Sequence, residues 1–177
     1  MPTLLVAFAL VCAAALGCGG ALGPVRVLRA DDPEALAYLA AHNRARATAT
    51  PKPSPPLAPM RWSAALAREA AKTAARCHFD HGGSDYGENL VARRIAHPPR
   101  DAVAIWMAEQ ADWDPIARRC RAGRSCGHYT QVVWRESDEL GCASRQCEHG
   151  SPMGGGEWFL TVCNYAPAGN EAGRAPY

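Results

Sequence analysis

The chain of 177 residues has little lysine, few aromatic residues and almost no net charge. Seventeen of its 19 basic residues are arginine, aromatic side chains make up 7%, and the formal net charge is +2. A weak, dispersed charge lacks the strong positive field of nucleic-acid-binding proteins, so we expect no nucleic-acid partner. The densest basic cluster, within residues 118–124, predicts a solvated loop, with contact to an anionic surface as the alternative.

No long hydrophobic run follows the first 23 residues. Residues 1–23 are apolar and uncharged, which predicts a secretory signal peptide and therefore a secreted, extracellular protein. The run is too short and too glycine-rich at its end for a transmembrane helix, so none is expected in the mature chain. Ala15-Leu16-Gly17-Cys18 also resembles a bacterial lipobox, and acylation of Cys18 would instead anchor the protein at the cell envelope.

A common catalytic motif is missing as well, since the sequence contains no H-E-x-x-H. Of eight cysteines, two lie in residues 1–23, which leaves Cys77, Cys120, Cys126, Cys142, Cys147 and Cys163. An even number behind an export signal predicts three disulfides. The alternative is zinc ligation by the C-x5-C-x-H run of residues 120–128 or the C-x4-C-x-H run of residues 142–149, although neither is a familiar zinc motif.

The pattern predicts three helices before a sheet. Asp32-Pro33 is a typical helix start, and that helix should end near Arg46. Ser63 can cap a second helix that ends near Cys77, and Pro98-Pro99 opens a third over residues 100–113. Residues 51–59 hold five prolines and predict a stiff, extended loop.

Three strands are predicted at residues 129–135, 140–145 and 158–165, with Gly154-Gly155-Gly156 in a hairpin connection. The first strand would place His128 at its entry, with apolar side chains on both faces. Helices followed by a sheet that is covered on both sides indicate one α+β layered domain.

A carboxylate lies within an aromatic stripe on the third helix, because Ala102, Trp106, Glu109 and Trp113 fall in one arc at helical spacing. Burial of a lone carboxylate is costly, so Glu109 needs a partner, a metal or an opening to water. The alternative is a helix turned so that Glu109 is exposed and the tryptophans are half covered.

Two further polar residues, His81 and Glu88, flank a glycine-rich loop. Together with Glu109 and His128 they can converge on one polar pocket. Two neutral imidazoles could hold a divalent metal there while the carboxylates orient bound water. A metal-dependent hydrolase would use Glu88 or Glu109 as general base, but catalytic zinc sites usually have three protein ligands, not two.

Several motifs resemble the CAP superfamily of cysteine-rich secretory proteins, antigen 5 and pathogenesis-related protein 1, and the plant pathogenesis-related group most of all. The resemblance runs over residues 33–177, which we predict to be one domain. The motifs are His42-Asn43-x-x-Arg46, Leu57-x-x-Met60-x-Trp62, Cys77-x-Phe79-x-His81, Gly87-Glu88-Asn89-Leu90, Gly127-His128-Tyr129-Thr130-Gln131-Val132-Val133-Trp134 and Cys163-Asn164-Tyr165-x-Pro167-x-Gly169-Asn170.

The resemblance implies an α-β-α sandwich with a tetrad of His81, Glu88, Glu109 and His128, in which the two histidines can bind zinc or a similar cation. It also implies the disulfides Cys77–Cys147, Cys120–Cys126 and Cys142–Cys163. Sterol binding in the family involves a loop that is rich in aromatic residues. If residues 51–59 occupy the place of that loop here, they offer mainly prolines. Plant relatives release a C-terminal signalling peptide, here residues 167–177, and the alternative is a tail packed on the domain.

The leading hypothesis is therefore a secreted, non-enzymatic binding protein with a metal-capable cleft, active in defence or at the envelope. A lipid, a sterol or a partner protein would be its ligand. The alternatives are the metal-dependent hydrolase and the peptide precursor. The oligomeric state is not indicated by the sequence.

Overall fold

A four-stranded sheet between helical layers organises the computed structural model, which describes residues 24–177. The predicted signal peptide and Cys18 lie outside the described residues. The helices are α1 Pro33–Ala47, α2 Ala64–Ala75, α3 Pro99–Ala108 and α4 Gly127–Val132, with a 3-10 turn at Glu109–Asp112. The strands are β1 Arg61–Trp62, β2 Gly87–Arg93, β3 Trp113–Asp114, β4 Arg119–Cys120, β5 Glu139–Cys147 and β6 Trp158–Ala166.

The sheet has the order β1-β5-β6-β2 and is antiparallel except for the β1–β5 pair. Side chains alternate along β6 because successive residues of a strand point to opposite faces. Leu160 and Val162 pack in a cluster with α2, whereas Cys163 and Tyr165 pack in a larger cluster with α1, α3 and α4. The predicted α+β, three-layer α-β-α arrangement is confirmed.

Helix α2 lies unusually close to the sheet, and Gly141 of β5 permits this approach. A Cβ atom at position 141 would collide with the backbone of Leu66 and Ala67. Around this contact α2 buries Leu66, Ala70 and Thr73. The close packing fixes the second helical layer against the two central strands.

The starts of the first two helices match the sequence prediction. Asp32 is the N-cap residue of α1 with Pro33 at its first position, and Ser63 is the N-cap residue of α2. The third helix is shorter than predicted, since α3 ends at Ala108 and continues only as the 3-10 turn. Residues 51–59 contain neither helix nor strand, as their prolines predict.

The predicted strand at residues 129–135 is wrong, because this segment begins in the short helix α4. Its β-branched and aromatic residues favour a strand, but tertiary contacts satisfy both ends of a helix instead. The Glu109 carboxylate accepts backbone N–H groups at the N-terminus, and the Arg46 guanidinium donates to Val132 O and Trp134 O at the C-terminus. Opposite charges at the two ends suit the helix dipole.

The structure contains three disulfides among the described residues: Cys77–Cys147, Cys120–Cys126 and Cys142–Cys163. Their pairing is the one that the family resemblance implies. Because each domain cysteine is oxidised, zinc ligation through residues 120–128 or 142–149 has no thiolate to use, and that alternative is excluded for this structure. Within residues 24–177, no helix is long and apolar enough to cross a bilayer.

Candidate functional site

The first histidine–glutamate pair joins His81, in the loop after α2, to Glu88, the second residue of β2. His81 Nδ1 lies 2.9 Å from Glu88 Oε1, and the backbone N–H of Gly82 donates to the same oxygen at 2.8 Å. The Glu88 side chain is 5% exposed, whereas that of His81 is 70% exposed. Protein donors therefore satisfy a nearly buried carboxylate, which in turn orients an exposed imidazole.

The second pair joins His128, the second residue of α4, to Glu109 at the end of α3. His128 Nδ1 lies 2.6 Å from Glu109 Oε1, while Glu109 Oε2 accepts the backbone N–H of His128 at 2.9 Å. Trp106 stacks on the His128 ring with 6.3 Å between centroids. Trp106 and Trp113 are both buried, and the Glu109 carboxylate that lies in the same stripe has His128 as its partner. This is the first of the two predicted alternatives, in which the carboxylate needs a partner.

Both imidazoles contact a glutamate through the same ring nitrogen, Nδ1. An ionised carboxylate only accepts hydrogen bonds, so in the neutral form each ring carries its proton on Nδ1. The lone pair then lies on Nε2, the atom left for a ligand. Histidines that bind metals commonly have this carboxylate contact, which fixes the tautomer and the ring orientation.

Consecutive residues of β2 link the two pairs. Next to Glu88, the Asn89 side-chain amide donates to His128 O at 3.0 Å and to Tyr165 Oη at 3.2 Å. Tyr165 Oη also lies 2.8 Å from His42 Nε2. A buried chain of hydrogen bonds thus runs from the second pair into the core between α1 and the sheet.

His42 at the end of this chain is fully buried, and its Nδ1 lies 2.8 Å from Tyr38 O. Burial lowers the pKa of His42 to about 4, chiefly because the charged imidazole would lose its hydration. Sequence reasoning gave no role to Asn89, His42 or Tyr165. The signal was present, since all three stand in the motifs that carry the family resemblance, but nothing in their spacing showed that they touch.

A small cleft of about 270 Å³ opens beside the first pair and is lined by His81, Glu88, Gln131 and Asn170, among others. Among residues 24–177, no three or more histidine, cysteine, aspartate or glutamate side chains are grouped to hold a metal ion. The predicted tetrad is therefore arranged as two pairs. Binding of a divalent cation by His81 and His128 stays a prediction.

The C-terminal segment packs on the domain. Ser137 donates to Pro167 O at 2.7 Å, and the backbone N–H of Arg135 donates to Pro176 O at 2.8 Å. Tyr177 Oη lies 3.0 Å from Tyr129 Oη. Release of residues 167–177 as a peptide would break these contacts, and it stays a prediction that mass spectrometry of native secretions can test.

Comparison with known proteins supports the motif-based assignment. The model of the cysteine-rich secretory protein (CAP) family matches residues 39–165. A pathogenesis-related protein of the PR-1 type from Sambucus nigra is 42% identical over 146 residues, which cover 79% of this chain and 80% of the relative. Pathogenesis-related leaf protein 4 of Solanum lycopersicum is 40% identical over 144 residues, which cover 79% of this chain and 81% of that relative.

Solved structures show the same fold at lower identity. Venom allergen-like protein 4 of Schistosoma mansoni superposes with a TM-score of 0.63 at 24% identity, over 80% of this chain and 92% of that one. Hookworm platelet inhibitor superposes with a TM-score of 0.63 at 22% identity, over 86% of this chain and 80% of that one. Similarity at this level concerns the fold alone.

Proposed function

Because the chain belongs to the cysteine-rich secretory protein family, we propose that it is a secreted, non-enzymatic defence protein. Its His81 and His128 would bind zinc or a similar divalent cation, and it would act by binding a lipid or protein ligand. The observation that carries the cation site is that a glutamate holds each of the two imidazoles through Nδ1. Three disulfides support secretion, and the names of the plant relatives support defence.

A bound cation would supply positive charge and exchangeable water positions at the cleft. His81 and His128 would offer Nε2, while Glu88 and Glu109 would hold the rings in place. A hydrolase with either glutamate as general base receives less support, because catalytic zinc sites usually have three protein ligands. The described part of the chain groups no such set.

Calorimetric zinc titration of the oxidised domain tests the cation site. We expect about one equivalent to bind to the wild type and none to a His81→Ala/His128→Ala variant. A His78→Ala/His149→Ala variant is the matched control, because it removes two imidazoles, both at exposed positions, but leaves both pairs intact. Equal binding by all three proteins, or no binding by the wild type, would remove zinc from the proposal.

An apolar groove of about 500 Å³ between α1 and α3 supports a lipid ligand. Ala40, Ala41, Val103 and Met107 are among its lining residues, and Arg44 and Arg100 line it too. Apolar walls suit an acyl chain, and the two guanidinium groups suit an acidic head group. The favoured occupant is therefore a fatty acid or another lipid with one acyl chain and an anionic head.

Displacement of a fluorescent fatty acid tests this groove. An Ala104→Trp substitution on α3 should fill it and weaken binding, because Ala104 is exposed and lines the groove. Ala65→Trp on the exposed side of α2 is the matched control and should bind as the wild type does. Unchanged affinity in Ala104→Trp would direct the search to protein ligands.

A further inference from the structure

A second concave surface shares no lining residue with the cleft at His81 or with the apolar groove between α1 and α3, and it is polar where that groove is apolar. A cavity of about 680 Å³ is bounded by the β3–β4 turn, residues 135–136 and the C-terminal tail. A neighbouring cavity of about 260 Å³ shares Arg118, Arg135 and the tail with it and extends to residues 51–54. We call the combined surface, with its cations Lys52, Arg118, Arg119, Arg135 and Arg174, the arginine groove.

Positive charge dominates the arginine groove. Five cationic side chains line it, whereas Glu136 is the one acidic side chain among the lining residues of the two cavities. Arg174 already pairs with Glu136 at 2.6 Å and with Glu171 at 2.6 Å. Among residues 24–177, none of the other four cations in the groove forms an ion pair within 4.0 Å, although Arg119 interacts electrostatically with Asp114.

These four cations differ in the hydrogen bonds that their side chains make. Arg135 Nη1 donates to Pro55 O at 2.9 Å, which orients the guanidinium but leaves its charge unpaired. Across residues 24–177, the side chains of Lys52, Arg118 and Arg119 make no ion pair within 4.0 Å and no hydrogen bond. All three are exposed, so their donors are available to a ligand.

The walls of the groove are held in place before any ligand arrives. Asp114 Oδ1 accepts the backbone N–H groups of Ile116 and Ala117, both at 2.9 Å, and so fixes the turn that presents Arg118. The Cys120–Cys126 disulfide begins directly after Arg119. On the other side, Pro176 is buried and its carbonyl accepts the Arg135 backbone N–H. A preformed site saves part of the ordering cost of binding.

The shape and chemistry of the groove select its ligand. Its five cations are spread over two adjoining cavities, which suits a chain with repeated charges better than one small anion. Arginine binds sulfate-like and carboxylate groups through two parallel N–H donors. A protein with three disulfides works outside the reducing cytosol, where acidic polysaccharides are a common class of polyanion. We propose that the arginine groove binds an acidic polysaccharide through its sulfate or carboxylate groups.

Fluorescence anisotropy with a labelled heparin fragment, in the presence of a metal chelator, tests this proposal. An Arg118→Gln/Arg119→Gln variant should bind about tenfold more weakly or worse, because it loses two charged donors at the ligand. An Arg68→Gln/Lys72→Gln variant carries the same change in net charge on exposed positions of α2 and should stay within about threefold of the wild type. Polygalacturonate should compete with heparin, neutral dextran should not, and added salt should weaken binding.

Three outcomes would overturn the proposal. The first is the absence of binding to both heparin and polygalacturonate. The second is an equal loss of affinity in both double variants, which would indicate net charge rather than a site. The third is tighter binding to a DNA oligonucleotide or to anionic vesicles than to either polysaccharide. Because Arg118 and Arg119 are exposed, unchanged unfolding midpoints should confirm that the variants fold. The zinc titration uses other residues and is independent of this result.

Discussion

Glu109 holds His128 twice: one carboxylate oxygen meets the imidazole Nδ1 at 2.6 Å and the other accepts the backbone N–H of the same residue at 2.9 Å. One side chain therefore sets both the ring orientation and the start of α4. The candidate ligand and the helix that carries it depend on the same contact. Loss of Glu109 should consequently affect the site and the stability of the domain together.

Replacing Glu109 should destabilise the protein, and the loss of stability should grow with the number of hydrogen-bond acceptors that the substitution removes. We expect Glu109→Ala to lower the free energy of unfolding by about 2 kcal/mol, since two donors at the helix start lose their acceptor. Glu109→Gln keeps an acceptor oxygen and should cost about 1 kcal/mol. Urea denaturation measures both values, with exposed Glu157→Ala as a control that should stay near the wild type. An unchanged midpoint for Glu109→Ala would show that α4 does not need this cap.

The buried imidazole of His42 should make stability depend on pH. Its folded pKa is about 4, below the ordinary value near 6.5, so the unfolded chain binds a proton more readily than the folded one. Stability should therefore fall as pH decreases from about 6.5 to about 4, by about 3 kcal/mol from this group. Above pH 6.5 His42 should contribute no pH dependence.

Urea unfolding at a series of pH values tests this expectation. A His42→Gln variant should be less stable at neutral pH but should lose much of the slope between pH 6.5 and 4. A His149→Gln variant, altered at an exposed position, should keep the slope of the wild type. Identical slopes in all three proteins would mean that other groups cause the acid sensitivity.

Arg46 should be among the most sensitive positions of the core. Its side chain has no carboxylate partner among the described residues and donates instead to the backbone carbonyls of Ala58, Val132, Trp134 and Arg135. Burial lowers the pKa of Arg46 to about 10, which still leaves the guanidinium charged at neutral pH. The charge is thus satisfied by carbonyl dipoles, including those at the end of α4.

Arg46→Met should lower the free energy of unfolding by about 3–5 kcal/mol, because buried carbonyls lose their donor while the apolar replacement cannot compensate. Arg68→Met, at an exposed position of α2, is the matched control and should change stability by less than about 0.5 kcal/mol. A loss below about 1 kcal/mol in Arg46→Met would indicate that water replaces the guanidinium.

The disulfides should contribute unequally to the free energy of unfolding. Cys77–Cys147 spans 70 residues and Cys120–Cys126 spans six, and longer loops restrict the unfolded chain more. Replacement by alanine pairs should cost about 4 kcal/mol for the long loop and about 2 kcal/mol for the short one. Denaturant unfolding of the two variants compares these values directly. The reverse order would show that native-state packing, rather than loop entropy, decides their effect.

Much of the architecture is readable from local sequence signals. Asp32-Pro33 and Ser63 mark helix starts by capping chemistry, which acts within one turn of the chain. The strands near residues 140–145 and 158–165 are found because both lie centrally in the sheet and carry near-continuous apolar runs. Strand β2 was not predicted as a strand, since it lies at the sheet edge and begins with polar residues.

Sequence alone identified the four histidine and glutamate residues of the candidate site, because the chemistry of these side chains and the family motifs are properties of the residues themselves. Tertiary structure decided how they are combined: two pairs, with Asn89 between them. It also decided that residues 127–132 form a helix despite their strand-like composition. Glu109 and Arg46, distant in sequence, satisfy the two ends of that helix, and such long-range electrostatic contacts outweigh a local propensity of less than about 1 kcal/mol per residue.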